Sequence, residues 1–167
     1  MRLARYARMD DLWYSLAAQV GEIARRHGAM LATAESCTGG LVAGALTAVP
    51  GSSEWFAGGI VAYANAVKTA VLGVPQEVLA VHGAVSSECV TAMAQGVCRL
   101  LGASAAVAIS GIAGPGGGTP VKPVGLVWMA WVVDGACAAR SFHFSGDRAA
   151  VRAAAVRAAL VGLGERL

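Results

Sequence analysis

The chain is short of charge, of clustered cysteines and histidines, and of long uninterrupted apolar runs, and each shortage removes a class of protein. Charged residues occupy 14% of the 167 positions and the formal net charge is +3, too mild and too scattered for a surface that binds nucleic acid. A small anionic ligand suits that balance better. Cys37, Cys89, Cys98 and Cys137 form no C-x-x-C pair, and His27, His82 and His143 are equally dispersed. Neither a zinc site nor a disulfide framework is indicated, no metal or cofactor is expected, and a reducing cytoplasm is the simplest home. The longest uncharged segment, Leu100 to Val121, is interrupted by Ser, Gly and two prolines, so no membrane-spanning helix is expected. The opening MRLARYARMDD carries Arg2, Arg5 and Arg8 but no apolar stretch before Asp10 and Asp11. It lacks a secretory signal and reads as a flexible arm over residues 1–10.

What remains is a chain that is 56% hydrophobic with 22 glycines, long enough for one domain, residues 11–167, with a core of its own. No repeat, linker or low-complexity stretch asks for a second. From Asp11 to about His27 the residues Leu12, Leu16, Val20, Ile23 and Ala24 recur at helical spacing, and Gly28 stops the run. AMLATA then reads as a strand, LVAGALTAV as a helix closed by PGSS, GGIVAYA as a second strand and AVKTAVLGV as a helix ended by Gly73 and Pro75. Ser86 can cap a further helix, with Glu88 in its first turn, that runs to about Leu101 and feeds the buried strand AAVAIS. VGLVWMAWVV and ACAARSFHF flank Asp134-Gly135, a strong hairpin signal, and a last helix starts near Asp147. These elements predict an α/β fold: a three-layer α/β/α sandwich around a mixed, mostly parallel sheet of about five strands.

In such sheets ligands sit beyond the carboxyl ends of parallel strands, where three polar loops fall. ESCTGG follows strand one, YANAVK strand two and SGIAGPGGGTPVKPVG strand three. In the first, Ser36 and Thr38 either cap the next helix or bring a hydroxyl beside backbone N–H groups of Thr38, Gly39 and Gly40 able to hold an oxyanion. Cys37 is a rival nucleophile ranked below Ser36, because no base adjoins it in sequence. A serine needs a base; His143 alternates with Phe142 and Phe144 on a strand, and His82 sits at a turn. Lys68, on a short helix led by Tyr63 and Asn65, is the better candidate, provided its amine is neutral. Bringing a lysine from about 10.4 to about 7 takes about 4–5 kcal/mol, which burial can supply. A solvated helix lysine is the alternative. In the third loop Gly111, Gly114 and the glycines 116–118, with Thr119 and Lys122, form either an anion cradle or a flexible hairpin entry. It is not a Walker loop, since Gly117 stands where that motif needs Lys. Arg148 opens the last helix, where a cation opposes the helix dipole and suggests an outside anion; a solvated arginine is the other reading. Trp55 and Phe56 are assigned to the core, with a subunit contact as the alternative.

Five blocks, TAESCTGG at 33–40, GSSEWFAGGIVAYANAVKTAVLGV at 51–74, GAVS at 83–86, SGIAGPGGGTPVKPVG at 110–125 and SGDR at 145–148, resemble in order and spacing the CinA C-terminal domain family. The resemblance implies hydrolysis of the carboxamide of nicotinamide mononucleotide to nicotinate mononucleotide and ammonia, in pyridine nucleotide recycling. It implies Ser36 as nucleophile, Lys68 as its base and Tyr63 as an assisting residue. Backbone groups near Thr38 and Gly39 are implied to hold the oxyanion. The loop around Gly111, Gly114, Thr119 and Lys122, with Arg148, is implied to receive ribose and phosphate. Many members have Glu after the Asn of the second block, where this chain has Ala66. Longer relatives add a metal-dependent pyrophosphatase domain, so the amidohydrolase alone is expected here. A small nucleotide is the expected partner, with a homo-oligomer as the assembly and no role for membrane or nucleic acid. A non-catalytic nucleotide-binding module in competence or DNA-damage responses is the rival reading. A phosphoryl-transfer enzyme ranks last, for want of a carboxylate cluster to hold Mg²⁺.

Overall fold

Strand and helix alternate as the periodicity requires, and the connections place two loops side by side at one end of the sheet. The computed structural model describes residues 2–167, with side chains from Leu12 onward. Helix α1 spans Arg2–His27 and starts ahead of the expected opening near Asp11; side chains of residues 1–11, the expected arm among them, lie outside the described residues. Then follow β1 (Leu31–Glu35), α2 (Leu41–Thr47), a 3-10 turn (Ser52–Glu54), β2 (Phe56–Val61), α3 (Asn65–Ala70), α4 (Gln76–Val81) and α5 (Ser87–Leu101). The chain ends with β3 (Ala105–Gly111), β4 (Leu126–Val133), β5 (Ala136–His143) and α6 (Arg148–Arg166). Helix α4 is an addition to the expected elements: Pro75, read as a terminator, stands as its N-cap, a place where the missing N–H costs nothing.

The sheet order is β2-β1-β3-β4-β5. β1 is parallel to both β2 and β3, whereas β3–β4 and β4–β5 are antiparallel. The expected mostly parallel sheet is thereby corrected, since half of the pairings are antiparallel. The cause is local. Asp134 and Gly135 both take positive φ, 48° and 84°, the type I′ geometry whose twist matches a hairpin. The loop after β3 also returns directly into β4 without a crossover helix.

Because β1 and β3 are central, both their faces are covered and their residues divide by parity. Val107 and Ile109 enter a core with Val20 of α1, Leu46 of α2 and Leu160 of α6. Ala106 and Ala108 enter the other, with Val90, Met93 and Val97 of α5. Two tryptophans close the first core against glycines: a Cβ at Gly21 would lie 2.6 Å from the Trp55 ring, and one at Gly162 would lie 2.4 Å from Trp131. Trp55 is thus a core residue, and Phe56 packs partly buried beside the same core. Ser86 caps α5 by accepting from the Cys89 amide at 3.2 Å. Among the described residues no helix is long and apolar enough to cross a membrane.

Candidate active site

From β1 the chain departs through α2 to β2 on one side, and it re-enters the sheet at β3 on the other, so the carboxyl ends of β1 and β3 face a switch point. Ser36 stands there, its amide donating to the Ile109 carbonyl at 2.9 Å, which extends the β1–β3 ladder one residue past the strand. The hydroxyl is consequently anchored to the sheet. Lys68 comes from α3 and is 1% exposed. Its Nζ lies 3.3 Å from Ser36 Oγ and donates to the Tyr63 carbonyl at 3.0 Å. Burial pushes the Lys68 amine below the ordinary lysine value of 10.5; Cys89, Cys37 and Tyr63 oppose that shift, and each is charged only when deprotonated. A buried lysine short of carboxylate neighbours is the arrangement that favours a neutral amine.

These groups open into a cavity of about 220 Å³, whose lining includes Ser36, Cys37, Tyr63, Asn65, Lys68, Ser110, Gly111 and Arg148, with Ala84 and Val85 as the apolar wall. Gly111 fits there because a Cβ would come within 2.9 Å of the Leu126 carbonyl. Arg148 crosses the rim, donating from Nη1 to the Gly114 carbonyl at 2.8 Å and from Nη2 to the Tyr63 hydroxyl at 3.1 Å. Three of its five N–H donors have no hydrogen-bond partner among the described residues. The Tyr63 phenol therefore belongs to the Arg148 rim, and only the Tyr63 carbonyl reaches Lys68. Cys37 is buried, and burial raises its thiol to about 11, so it stays protonated near neutrality.

The structure brings together Ser36, Lys68, Tyr63, Asn65, Gly111 and Arg148, with Gly114 adjoining through its carbonyl. It does not bring in the rest. The Gly39 amide donates to the Ser36 carbonyl at 3.0 Å and the Gly40 amide to Glu35 Oε2 at 3.0 Å. Of the three amides expected to hold the oxyanion, those of Gly39 and Gly40 are therefore already spent, whereas the Thr38 amide has no acceptor among the described residues. The Thr38 side chain is fully buried, its hydroxyl without a partner among the described residues. Thr119 and Lys122 close a turn on each other, Thr119 N–H to Lys122 O at 2.8 Å and Lys122 N–H to Thr119 Oγ1 at 3.0 Å. Lys122 Nζ turns to the His82 carbonyl and does not line the cavity.

Two contributors escaped the sequence reading. Glu35, 1% exposed, is the true cap of α2: it accepts from the amides of Gly40 at 3.0 Å, Val42 at 3.1 Å and Ala43 at 2.8 Å. Ser110, 1% exposed, is the last residue but one of β3 and lines the same cavity as Ser36. An acid at the end of an otherwise apolar strand was the available signal for the first; position beside the glycine loop was the only one for the second.

The CinA C-terminal domain model matches residues 14–167. The chain belongs to that family. It is 53% identical over 149 residues to the nicotinamide-nucleotide amidohydrolase PncC of Pseudomonas putida, covering 89% of this chain and 93% of that protein. The PncC of Escherichia coli strain K12 is 49% identical over 152 residues, 90% of this chain and 92% of its own length. The CinA-like protein of Geobacter metallireducens is 49% identical over 89% of this chain, which spans 36% of that longer protein. The crystal structure of the competence damage-inducible protein A from Klebsiella pneumoniae superposes with a TM-score of 0.90 at 43% identity, covering 92% of this chain and 96% of that one. Ala66, where the resemblance led to an expectation of Glu, is exposed on α3 outside the cavity lining, and Lys68 donates to a backbone carbonyl.

Proposed function

We propose that the chain hydrolyses the carboxamide of nicotinamide mononucleotide, giving nicotinate mononucleotide and ammonia, as a step in pyridine nucleotide recycling. The observation that carries this reading is the buried Lys68 amine 3.3 Å from Ser36 Oγ at the floor of a cavity. The high identity to two nicotinamide-nucleotide amidohydrolases supports the substrate class. In the proposed course Ser36 Oγ bonds to the amide carbon while its proton passes to neutral Lys68. The C–N bond then breaks as Lys68 returns that proton to the leaving nitrogen. Water attacks the resulting ester, Lys68 takes its proton, and the acid leaves as the proton returns to Ser36. The separation of 3.3 Å suits a resting site that tightens when substrate enters.

Arg148 is the group we assign to the phosphate, since it lines the cavity with N–H donors beyond the two bonded to Gly114 and Tyr63, and a guanidinium holds phosphate oxygens in pairs. Asn65 is assigned to the ribose or carboxamide edge. The test is ammonia release from nicotinamide mononucleotide by wild type, Ser36→Ala and Lys68→Ala, with EDTA present. Release by wild type alone supports the Ser/Lys reaction. Binding of the nucleotide without release by any of the three leaves a binding module and removes the hydrolase.

A further inference from the structure

The proposed reaction needs donors for the oxyanion that forms on the carboxamide oxygen, and the amides of Gly39 and Gly40 are occupied. The backbone just after Ser36 is gripped by a side chain that has had no role so far. Arg152, half-buried on α6, donates from Nε to the Cys37 carbonyl at 3.1 Å and from Nη2 to the Thr38 carbonyl at 3.3 Å. Among the described residues it has no carboxylate partner. Arg25 and Arg26, by contrast, pair with Glu54 and Glu22. A cation near the start of a helix also opposes the helix dipole, so local helix stability does not explain it.

The consequence of the grip follows from planar, trans peptides, in which each N–H points opposite to the carbonyl of its own peptide group. Nε fixes the Cys37–Thr38 peptide, and Nη2 fixes the Thr38–Gly39 peptide. The N–H of that second peptide, on Gly39, donates to the Ser36 carbonyl and so fixes the Ser36–Cys37 peptide as well. One guanidinium thereby holds two consecutive planes directly and the third through the Gly39 amide. Among the described residues neither the Cys37 nor the Thr38 amide donates to another residue's oxygen, but Cys37 lies on the cavity wall beside Ser36 and Thr38 is not part of that lining.

We propose that Arg152 is a positioning residue for the reaction at Ser36: by holding the Cys37 and Thr38 carbonyls it aims the Cys37 amide as the oxyanion donor. The proposal rests on the amidohydrolase reading. A donor aimed at charge that develops only during reaction affects turnover rather than substrate binding. A brace that merely kept the cavity open would move binding too.

The experiment is steady-state hydrolysis of nicotinamide mononucleotide by wild type, Ser36→Ala, Arg152→Ala and Arg152→Lys, with and without millimolar guanidinium chloride. Arg152→Ala is expected to lose about 10- to 100-fold in kcat with KM within about threefold of wild type. Guanidinium is expected to restore part of that loss, and Arg152→Lys to fall between the two. An Arg152→Ala kcat within threefold of wild type overturns the proposal, as does a rise in KM matching the fall in kcat with no rescue. Should Arg152→Ala fail to fold, Arg152→Lys decides: a lowered kcat at constant KM supports the role, and an unchanged kcat overturns it. An inactive wild type, or a fully active Ser36→Ala, overturns the amidohydrolase reading itself and this proposal with it. An active wild type, a dead Ser36→Ala and an indifferent Arg152→Ala overturn this proposal alone.

Discussion

The loop from Ser36 to Gly40 and the loop from Ile112 to Gly125 both join the sheet to the cavity, yet they are built in opposite ways. The first is short, and its backbone is gripped from three sides: by the Ile109 carbonyl, by the Glu35 carboxylate and by Arg152. The second is long and exposed from Pro115 to Val121, touches the cavity only at its start, and at its tip closes Thr119 and Lys122 on each other, its outside bonds being those of the Gly114 carbonyl to Arg148 and of Lys122 Nζ to the His82 carbonyl. Glycines are present in both. What separates them is where the hydrogen bonds go: a polar group held by buried partners keeps its geometry, and one that bonds to its own loop at the surface does not need to.

That contrast can be broken at either loop. The largest effect is expected at the centre of the held loop, where Ser36→Ala or Lys68→Ala should lower kcat by about 10³-fold or more while nucleotide binding, followed by calorimetry, persists. Next comes the support beneath it. Glu35→Ala removes a buried carboxylate that accepts three amides and should lower unfolding stability by about 3 kcal/mol, measured as a drop in urea midpoint at constant slope. Arg148→Ala should raise KM for nicotinamide mononucleotide by about tenfold with a smaller change in kcat. Thr119→Ala, in the exposed loop, should alter kcat/KM by less than about threefold and cost at most about 1 kcal/mol. A large loss there would erase the distinction between the loops.

The strand–helix rhythm, the Asp134-Gly135 hairpin and the Ser86 cap were legible because each rests on local chemistry: period, turn dihedrals and a side-chain acceptor near a helix start. The pairing of Ser36 with Lys68, 32 positions apart, was readable from the order of the loops, since both follow parallel strands. Two of the three expected oxyanion amides were not. Gly39 and Gly40 look free in the sequence, and only the fold shows that Ser36 and Glu35 take their amides. Arg152 reads as one more arginine punctuating an apolar helix, because its partners are backbone carbonyls that carry no residue signature. Thr119 and Lys122 misled for the opposite reason: hydroxyl and charge beside glycines mark a ligand loop by composition, whereas here each completes the other's turn.

The central claim is that Lys68 serves Ser36 as a neutral base, and the pH dependence of kcat/KM tests it most directly. Burial lowers the Lys68 value below 10.5, so the amine gains its proton, and the rate falls, as pH drops through that lowered value. In the window between it and 10.5 the unfolded chain holds the extra proton, so stability rises with pH across the same range. The account predicts an acid limb with a midpoint below the ordinary lysine value, absent from whatever activity Lys68→Ala retains. A wild-type rate that is flat down to mildly acidic pH, or an acid limb that survives in Lys68→Ala, would contradict it.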